Sequence, residues 1–356
     1  MNYKKVLITG GAGFVGSNLA LKLKAKYPDA DIFALDNLKR RGSELNIPRL
    51  KAAGVNFIHG DIRNKEDFEE IGEIDLLIEC SAEPSVLAGI DSSPAYLINT
   101  NLVGTINCLE FARKNNAAFV FLSTSRVYPI DPINNLNYLE EEKRFDLAGK
   151  QATAGASKEG IAENFPLEGA RSLYGTTKLC SELILQEYIY NYGLKGIINR
   201  CGVITGPWQM GKVDQGVFVL WVARHIFGGK LSYISYGGEG KQVRDFIHID
   251  DIFDIIDLQL NDFEKFNGNI YNIGGGLENS VSLRELTDIC EKVTGNKIEI
   301  SSIKENRPAD LKLFITDCEK IKKMTGWKPK KNAEETISDI AQWIKENKES
   351  LKPILS

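Results

Sequence analysis

Two residues four positions apart, Tyr174 and Lys178, have the types and the spacing of a general base and its helper. On a helix such a pair shares one face, and the ammonium would favour the phenolate of a tyrosine whose ordinary pKa is about 10. The phenolate could then accept a proton from an alcohol. The hydroxyl run Ser123-Thr124-Ser125 could hold the reacting oxygen, although such a run also suits a helix cap or a turn.

A glycine-rich turn near residue 10 has the spacing of a phosphate-binding loop. Gly10, Gly13 and Gly16 follow the apolar run Val6–Thr9, which predicts a short strand, and lead into Ser17–Lys26, which predicts a helix. A strand, a tight glycine turn and a helix in this order bring backbone N–H groups and the positive helix end against a pyrophosphate. The turn therefore predicts a dinucleotide cofactor.

The strand predicted over Asp31–Asp36 ends in an acid that suits such a cofactor. Asp36 lies 20 residues after Gly16 and would accept hydrogen bonds from the hydroxyls of an adenosine ribose. Its carboxylate would repel a 2′-phosphate, so we expect NAD, while the basic run Lys39–Arg41 leaves NADP open as an alternative. Hydride transfer to the nicotinamide would then accompany proton transfer to Tyr174.

Strand and helix patterns alternate through the first 200 residues, which is typical of a doubly wound parallel sheet. Further strands are predicted at Asn56–His59, Asp75–Cys80, Ala118–Ser123 and Gly196–Arg200, and helices at Ala95–Asn115 and Tyr174–Tyr192. Ligands bind beyond the carboxyl ends of the strands in such a sheet. We therefore expect one crevice lined by the segments after Thr9, Asp36, Cys80 and Ser123.

The composition limits the class of protein. The chain has 356 residues, 43% of them hydrophobic and 26% charged, with a net charge of −4 and a pI near 5.7. This balance allows a packed core and argues against a general surface for nucleic acid or for an anionic membrane. No signal peptide or membrane-spanning run is visible and the six cysteines are scattered, so we expect a cytoplasmic protein with reduced thiols. Three dispersed histidines predict that there is no structural metal site.

The sequence predicts two domains. Residues 1–200 with 240–275 are expected to form the NAD-binding domain, and 201–239 with 276–356 a smaller substrate-binding lobe. Residues 130–172 are polar and rich in small side chains. This segment predicts an excursion beside the active site, either a lid or an ordinary solvated loop.

The chain resembles the extended short-chain dehydrogenase/reductases, and among them the NAD-dependent epimerases and dehydratases of nucleotide sugars. The resemblance rests on the glycine turn 10–16, Ser123–Tyr128, the Tyr174/Lys178 pair and Arg244–His248. It implies a Rossmann-type α/β fold, which is a doubly wound parallel sheet with a smaller C-terminal α/β substrate lobe. It also implies NAD as the cofactor, a nucleotide-diphosphate sugar as the substrate, and a homodimer or homotetramer.

The resemblance also implies roles for individual residues. Alignment on Val127-Tyr128 puts the catalytic hydroxyl at Thr124, the base at Tyr174 and the helper at Lys178. The residues implied to bind the cofactor are Gly10, Gly13, Phe14, Val15, Gly16, Asp36, Asn37, Asp61, Ile62, Ala82, Asn99, Tyr174 and Lys178. The residues implied to bind the substrate are Ser125, Arg126, Gln215, Arg244 and Arg307. Paired hydrogen bonds from a guanidinium to the diphosphate give the last two a physical basis, with an ordinary surface charge as the alternative.

The residues after Thr124 distinguish subfamilies. The 4,6-dehydratases carry Asp-Glu there and the decarboxylases Ser-Glu, whereas this chain has Ser125-Arg126 and so lacks an acid pair for eliminating water. The CDP-paratose (CDP-tyvelose) 2-epimerases have a basic residue at this position and share segments like 213–216 and 240–245. The chain resembles that subfamily most, and Pro129, where glycine is usual, departs from it. The resemblance therefore predicts an epimerase that oxidises its sugar transiently.

Three other functions stay open at this point. A UDP-sugar 4-epimerase would use the same residues. A net nucleotide-sugar ketoreductase would consume NAD(P)H in proportion to its product. A non-catalytic NAD-binding regulator would have no need of the Tyr174/Lys178 pair.

Overall fold

The computed structural model describes residues 1–211 and 215–356. Its strands are β1 (Lys5–Thr9), β2 (Asp31–Asp36), β3 (Asn56–His59), β4 (Leu76–Glu79), β5 (Ala118–Thr124), β6 (Tyr138–Glu140), β7 (Phe145–Leu147), β8 (Ala156–Ser157), β9 (Gly160–Ile161), β10 (Gly196–Cys201), β11 (Val203–Thr205), β12 (Leu231–Ile234), β13 (Val243–His248), β14 (Ile270–Ile273), β15 (Ser280–Ser282), β16 (Ile300–Ile303) and β17 (Leu313–Phe314). Its helices are α1 (Phe14–Lys26), α2 (Ile47–Ala52), α3 (Ala95–Ile98), α4 (Gly104–Lys114), α5 (Ile130–Asn134), α6 (Ser172–Tyr192), α7 (Val217–Phe227), α8 (Ile249–Asn261), α9 (Phe263–Phe266), α10 (Leu283–Thr294), α11 (Glu319–Thr325), α12 (Ala333–Glu346) and α13 (Lys348–Leu355).

These elements form two compact units. Unit 1 comprises Met1–Thr124, Leu173–Arg200 and Phe253–Ile270, and unit 2 comprises Ser125–Ser172, Cys201–Ile252 and Tyr271–Ser356. Residues 125–172, 240–252 and 271–275, which were predicted to lie in the NAD-binding domain, thus belong to unit 2.

A seven-stranded sheet, most of whose strands lie in unit 1, has the order β14-β10-β5-β4-β1-β2-β3. The pairs β1–β2, β2–β3, β1–β4 and β4–β5 are all parallel. The chain therefore runs outward from β1 through β2 and β3, and then reverses to β4 and β5 on the other side. This reversal beside β1 is the switch point at which doubly wound sheets bind ligands, and the predicted fold class is confirmed.

Burial explains why these segments are strands. All four residues of β4 and all seven of β5 are buried, as expected of parallel strands covered on both faces. On one face, Leu7, Leu77 and Phe119 pack with Leu109 of α4 and Leu185 of α6 in one apolar core. This core holds α6, and with it Tyr174 and Lys178, against the sheet.

Unit 2 contains a four-stranded sheet in which β13 pairs with β11, β15 and β17. Residues 130–172 are folded rather than an open loop, since they carry α5 and two short hairpins, β6–β7 and β8–β9. Ile161 is completely buried and bridges to Thr316, and Phe165 packs edge-on against Tyr128. The alternative of a solvated loop therefore does not hold around Ile161 and Phe165, because these apolar side chains are buried in unit 2. No helix within residues 1–211 and 215–356 is both long and apolar enough to cross a membrane.

Candidate active site

The glycine turn lies between β1 and α1 as predicted, and its backbone is tightly packed. Gly10 has a φ of +63°, and a Cβ at this position would lie 2.8 Å from the carbonyl oxygen of Cys80. A Cβ on Gly16 would collide with the carbonyl oxygen of Gly10. Hydrogen bonding within α1 begins with Ser17 N–H, which donates to Gly13 O at 3.0 Å. The N–H groups of residues 14–16 therefore precede the helical ladder and are the donors that a pyrophosphate would use.

Asp36 at the end of β2 fixes this turn. Its Oδ2 accepts hydrogen bonds from the backbone N–H groups of Ala12 and Gly13, both at 3.1 Å, and its Oδ1 accepts one from Leu38 at 2.7 Å. Burial raises the pKa of the carboxyl, and these backbone bonds oppose the rise. The same carboxylate that we expect to bind a ribose thus also holds the phosphate loop in place.

A second carboxylate, Asp61, follows β3. Asn37 Nδ2 donates to its Oδ2 at 2.8 Å, and Arg63 forms an ion pair with the same oxygen at 2.6 Å. Burial acts to raise the pKa of Asp61, but the bonds from Arg63 and Asn37 outweigh it and lower the pKa to about 2. The predicted cofactor residues Asn37 and Asp61 are therefore brought into contact, and the adjacent Ile62 is buried.

The loop after β4 and the helix that follows it carry the other two predicted cofactor residues. Ala82 is half-buried in the loop, and Asn99 is exposed at the start of a π-helical turn over Asn99–Val103. Thr100 and Asn101 of that turn are buried, and Asn101 Oδ1 accepts from Glu83 N at 2.7 Å while its Nδ2 donates to Thr177 Oγ1 at 3.3 Å. Asn101 thus joins the loop to α6, a role that the sequence did not reveal.

The three predicted catalytic residues all lie in unit 1. Thr124 is the last residue of β5 and is buried, and Tyr174 and Lys178 lie in the first two turns of α6. Tyr174 is half-buried, whereas Lys178 is only 2% exposed and its Nζ lies 3.9 Å from the centroid of the Phe121 ring. A half-exposed phenol and a buried ammonium one turn apart on a helix are the arrangement that favours a phenolate base.

A buried ion pair that the sequence alone did not predict anchors α6. Arg200 Nε and Nη2 donate to both carboxylate oxygens of Glu182 at 2.7–3.1 Å, and both side chains are at most 3% exposed. Ser123 Oγ donates to the same carboxylate at 2.5 Å. Glu182 lies one turn after Lys178 on the same helix face, so the pair fixes the position of α6 against β5 and β10. An arginine at the end of the predicted strand 196–200 was the available signal.

Two predicted substrate arginines lie near one ring in unit 2. Arg244 Nη2 donates to Asp310 Oδ1 at 3.0 Å and Arg126 Nη1 donates to Ala309 O at 3.2 Å. Burial raises the pKa of Tyr236 to about 12, and the charges of Arg244 and Arg126 both act to lower it. Both guanidinium groups therefore act electrostatically on Tyr236, and no sequence motif pointed to this residue.

The remaining predicted substrate residues also lie in unit 2. Ser125 and Arg126 form part of the short 3₁₀ turn Ser125–Val127, and both are half-buried. Arg307 is half-buried, and its backbone N–H donates to Ser235 Oγ at 3.0 Å. Gln215 is half-buried, while Val213 and Asp214 of the shared segment 213–216 lie outside the described residues.

Comparison with known proteins decides the family. The model of the NAD dependent epimerase/dehydratase family matches residues 6–274. The chain belongs to this family. It is 31% identical to a CDP-paratose 2-epimerase of Salmonella typhi, over 95% of this chain and 98% of that protein.

Solved structures of family members extend over the same length. A dTDP-glucose 4,6-dehydratase of Streptomyces venezuelae, solved with NAD, is 28% identical with a TM-score of 0.78, covering 98% of this chain and 99% of that one. A UDP-glucose 4-epimerase of Thermotoga maritima, solved with UDP-glucose, is 25% identical with a TM-score of 0.77, covering 96% and 99%. Membership confirms the predictions of an NAD-dependent enzyme and of NAD as its cofactor. The tight Gly10–Gly16 turn, with helix N–H groups and Asp36 beside it, fits that cofactor.

Proposed function

We propose that this enzyme is a nucleotide-sugar epimerase that oxidises one sugar carbon transiently, and that C2 of CDP-paratose is that carbon. The observation that carries the proposal is the combination of the Tyr174/Lys178 pair with Ser125-Arg126 after Thr124. The pair supplies a base for oxidation, and the absence of an acid pair at 125–126 removes the groups that a dehydratase needs to eliminate water. Similarity to the Salmonella 2-epimerase along nearly the whole chain supports the choice of sugar.

The residues of unit 1 would carry out the proton chemistry. Tyr174 accepts the proton of the reacting hydroxyl, Thr124 positions its oxygen, and Lys178 favours the phenolate. The glycine turn and Asp36 would hold NAD, which would supply a reversible hydride transfer at the sugar carbon. When the resulting keto sugar has presented its opposite face, Tyr174 gives the proton back. Atoms and charge balance over the cycle, so neither an external oxidant nor a reductant is required.

The residues of unit 2 would bind the nucleotide. Arg244 and Arg307 are proposed to bind the diphosphate, with Ser125, Arg126 and Gln215 contacting the sugar nucleotide. This assigns NAD to unit 1 and the substrate nucleotide to unit 2. We also expect a cytoplasmic homodimer or homotetramer. Exposed Leu183, Tyr190 and Tyr192 on α6 support self-association, since these side chains are 54%, 86% and 61% exposed.

The test is to incubate the purified holoenzyme with CDP-, UDP-, GDP- and dTDP-sugars, including CDP-paratose, and to follow the ring protons by NMR in deuterated water. Inversion at C2 of the CDP-sugar without deuterium uptake is expected, because the hydride returns internally. Inversion at C4 of a UDP-sugar instead would make the enzyme a 4-epimerase. Steady oxidation or formation of NAD(P)H in proportion to product would contradict the epimerase proposal and indicate a net oxidoreductase.

A further inference from the structure

A carboxyl group lies completely buried beneath the site, at Glu79 on the carboxyl end of β4. In the sheet, Glu79 is the register partner of Phe121 on β5 and of Thr9 on β1. Register partners on neighbouring parallel strands project from the same face of a sheet. The Glu79 side chain therefore leaves the sheet beside the ring of Phe121.

The ammonium of Lys178 lies over that same ring. Its Nζ is 3.9 Å from the Phe121 centroid, and the lysine is as deeply buried as the ring beneath it. A buried carboxyl and a buried ammonium thus occupy adjacent positions on one face of the sheet. Burial raises the pKa of Glu79 to about 7, and the charge of Lys178 acts to lower it.

The two oxygens of Glu79 have different surroundings. Oε1 accepts a hydrogen bond from Thr105 Oγ1 of α4 at 2.7 Å. Oε2 is buried and accepts no hydrogen bond from any residue within 1–211 or 215–356. A buried carboxyl oxygen in this state is costly unless a neighbouring charge compensates it, and Lys178 is the cation that acts on it.

A further titratable group packed here is Cys108 of α4. Burial raises the pKa of its thiol well above the ordinary value, and the charge of Glu79 raises it further, so the thiol stays neutral. The hydroxyls of Thr9 and Thr105 are neutral as well. The electrostatics of this buried cluster therefore depend on Glu79 and Lys178.

We propose that Glu79 is a positioning residue whose charge acts on the ammonium of Lys178 from the buried side and keeps it protonated beside Tyr174. The reasoning is that burial drives a lysine towards the neutral amine, and a carboxyl alongside favours the charged form. A neutral amine at Lys178 would no longer favour the phenolate. The inference rests on the roles of Tyr174 and Lys178 in the proposed function.

The test substitution is Glu79→Gln, which keeps an acceptor for Thr105 and removes the charge. The readout is the titration of Lys178 in the holoenzyme, followed by NMR of ¹³C-labelled lysine, with the resonance assigned by its loss in Lys178→Arg. In Glu79→Gln the midpoint is expected to fall by about one pH unit or more, as for loss of an opposite charge within a few ångströms. The exposed Glu187 on α6 provides the matched control, because Glu187→Gln should leave the midpoint unchanged.

Kinetics provides a second readout that a merely structural role would not move. In Glu79→Gln the alkaline limb of the kcat–pH profile should shift to lower pH together with the Lys178 midpoint, with KM little changed. In Glu79→Asp, which keeps the charge, the limb should lie much closer to its wild-type position. If Glu79→Gln does not fold, Glu79→Asp alone should still lower the midpoint by a smaller amount. A midpoint within about 0.3 unit of the wild type in the folded variant would overturn the inference.

The titration needs no substrate, so the two proposals can fail separately. A shifted Lys178 midpoint in a protein that epimerises none of the nucleotide sugars would support the role of Glu79 but contradict the proposed function. An unchanged midpoint in an active epimerase would remove only the role of Glu79.

Discussion

Glu182→Gln is expected to destabilise unit 1 severely although the two side chains have nearly the same shape. Arg200 is 3% exposed and Glu182 is fully buried, and three N–H···O contacts of 2.7–3.1 Å join them. The substitution removes the negative charge of Glu182 from beside the buried Arg200. Removal of one partner from such a pair costs about 3–5 kcal/mol, whereas exposed ion pairs contribute less than about 1 kcal/mol.

The assay is urea unfolding at pH 7, followed by circular dichroism and analysed for the free energy of unfolding. Glu187→Gln is the control, because Glu187 is exposed on the same helix and accepts only a surface bond from Asn191 at 2.8 Å. It should change stability by less than about 0.5 kcal/mol. The double variant Glu182→Met/Arg200→Met should recover much of the loss, because it removes both buried charges together.

Free energies of unfolding of Glu182→Gln and Glu187→Gln that agree within about 0.5 kcal/mol would refute the claim that the Glu182–Arg200 pair stabilises unit 1. The claim would also be refuted if the double variant were as unstable as the sum of its single changes. That result would mean that the two charges are not coupled and that α6 is held by apolar packing alone.

Three further predictions concern the cofactor turn, the substrate arginine and an acid. Gly16→Ala should abolish the retention of NAD by the purified protein, because the new Cβ would collide with the carbonyl oxygen of Gly10. Gly149→Ala is the control, because a Cβ there has open space. Equal NAD retention in the two variants would contradict the role of the turn. Arg244→Ala should raise KM for the nucleotide sugar about tenfold or more with a smaller effect on kcat, and an unchanged KM would exclude it from diphosphate binding. Arg63 and other hydrogen-bond donors lower the pKa of Asp61 to about 2. The ionised carboxylate therefore contributes stability that is present above about pH 4 and is lost as the pH falls through about 2. Asp61→Asn should therefore be less stable by about 1–2 kcal/mol at pH 5 and by less at pH 2.5 in urea titrations; a constant difference would contradict the assignment.

Local pattern predicted the elements of the parallel sheet closely. The predicted strands 31–36 and 56–59 coincide with β2 and β3, since turn residues flank an apolar run on both sides. Helix α1 begins at Phe14, three residues before the predicted Ser17, because the glycine turn leads directly into the helix. The positions of Tyr174 and Lys178 near the start of α6 also followed from spacing alone.

Long-range contacts account for what the sequence could not predict. The helix predicted over 95–115 is interrupted by the π-helical turn at Asn99–Val103, in which the buried Asn101 reaches across to Thr177. In the sequence, nothing distinguishes Glu79 from the other residues of the predicted strand 75–80. Lys178, which lies near it in the structure, is on a helix far along the chain. The spacing of apolar residues in a sequence indicates which face of a helix or strand is buried, but not which charged groups lie together on that face. Such pairings become visible only once the sheet order is known.

The base itself gives the most direct test of the account. In the NAD-loaded enzyme, Tyr174→Phe should retain the cofactor and lose turnover of the nucleotide sugar by about a thousandfold, whereas Tyr190→Phe, an 86% exposed position on the same helix, should behave as wild type. Turnover of Tyr174→Phe within about tenfold of the wild type would contradict the claim that this phenol carries the proton.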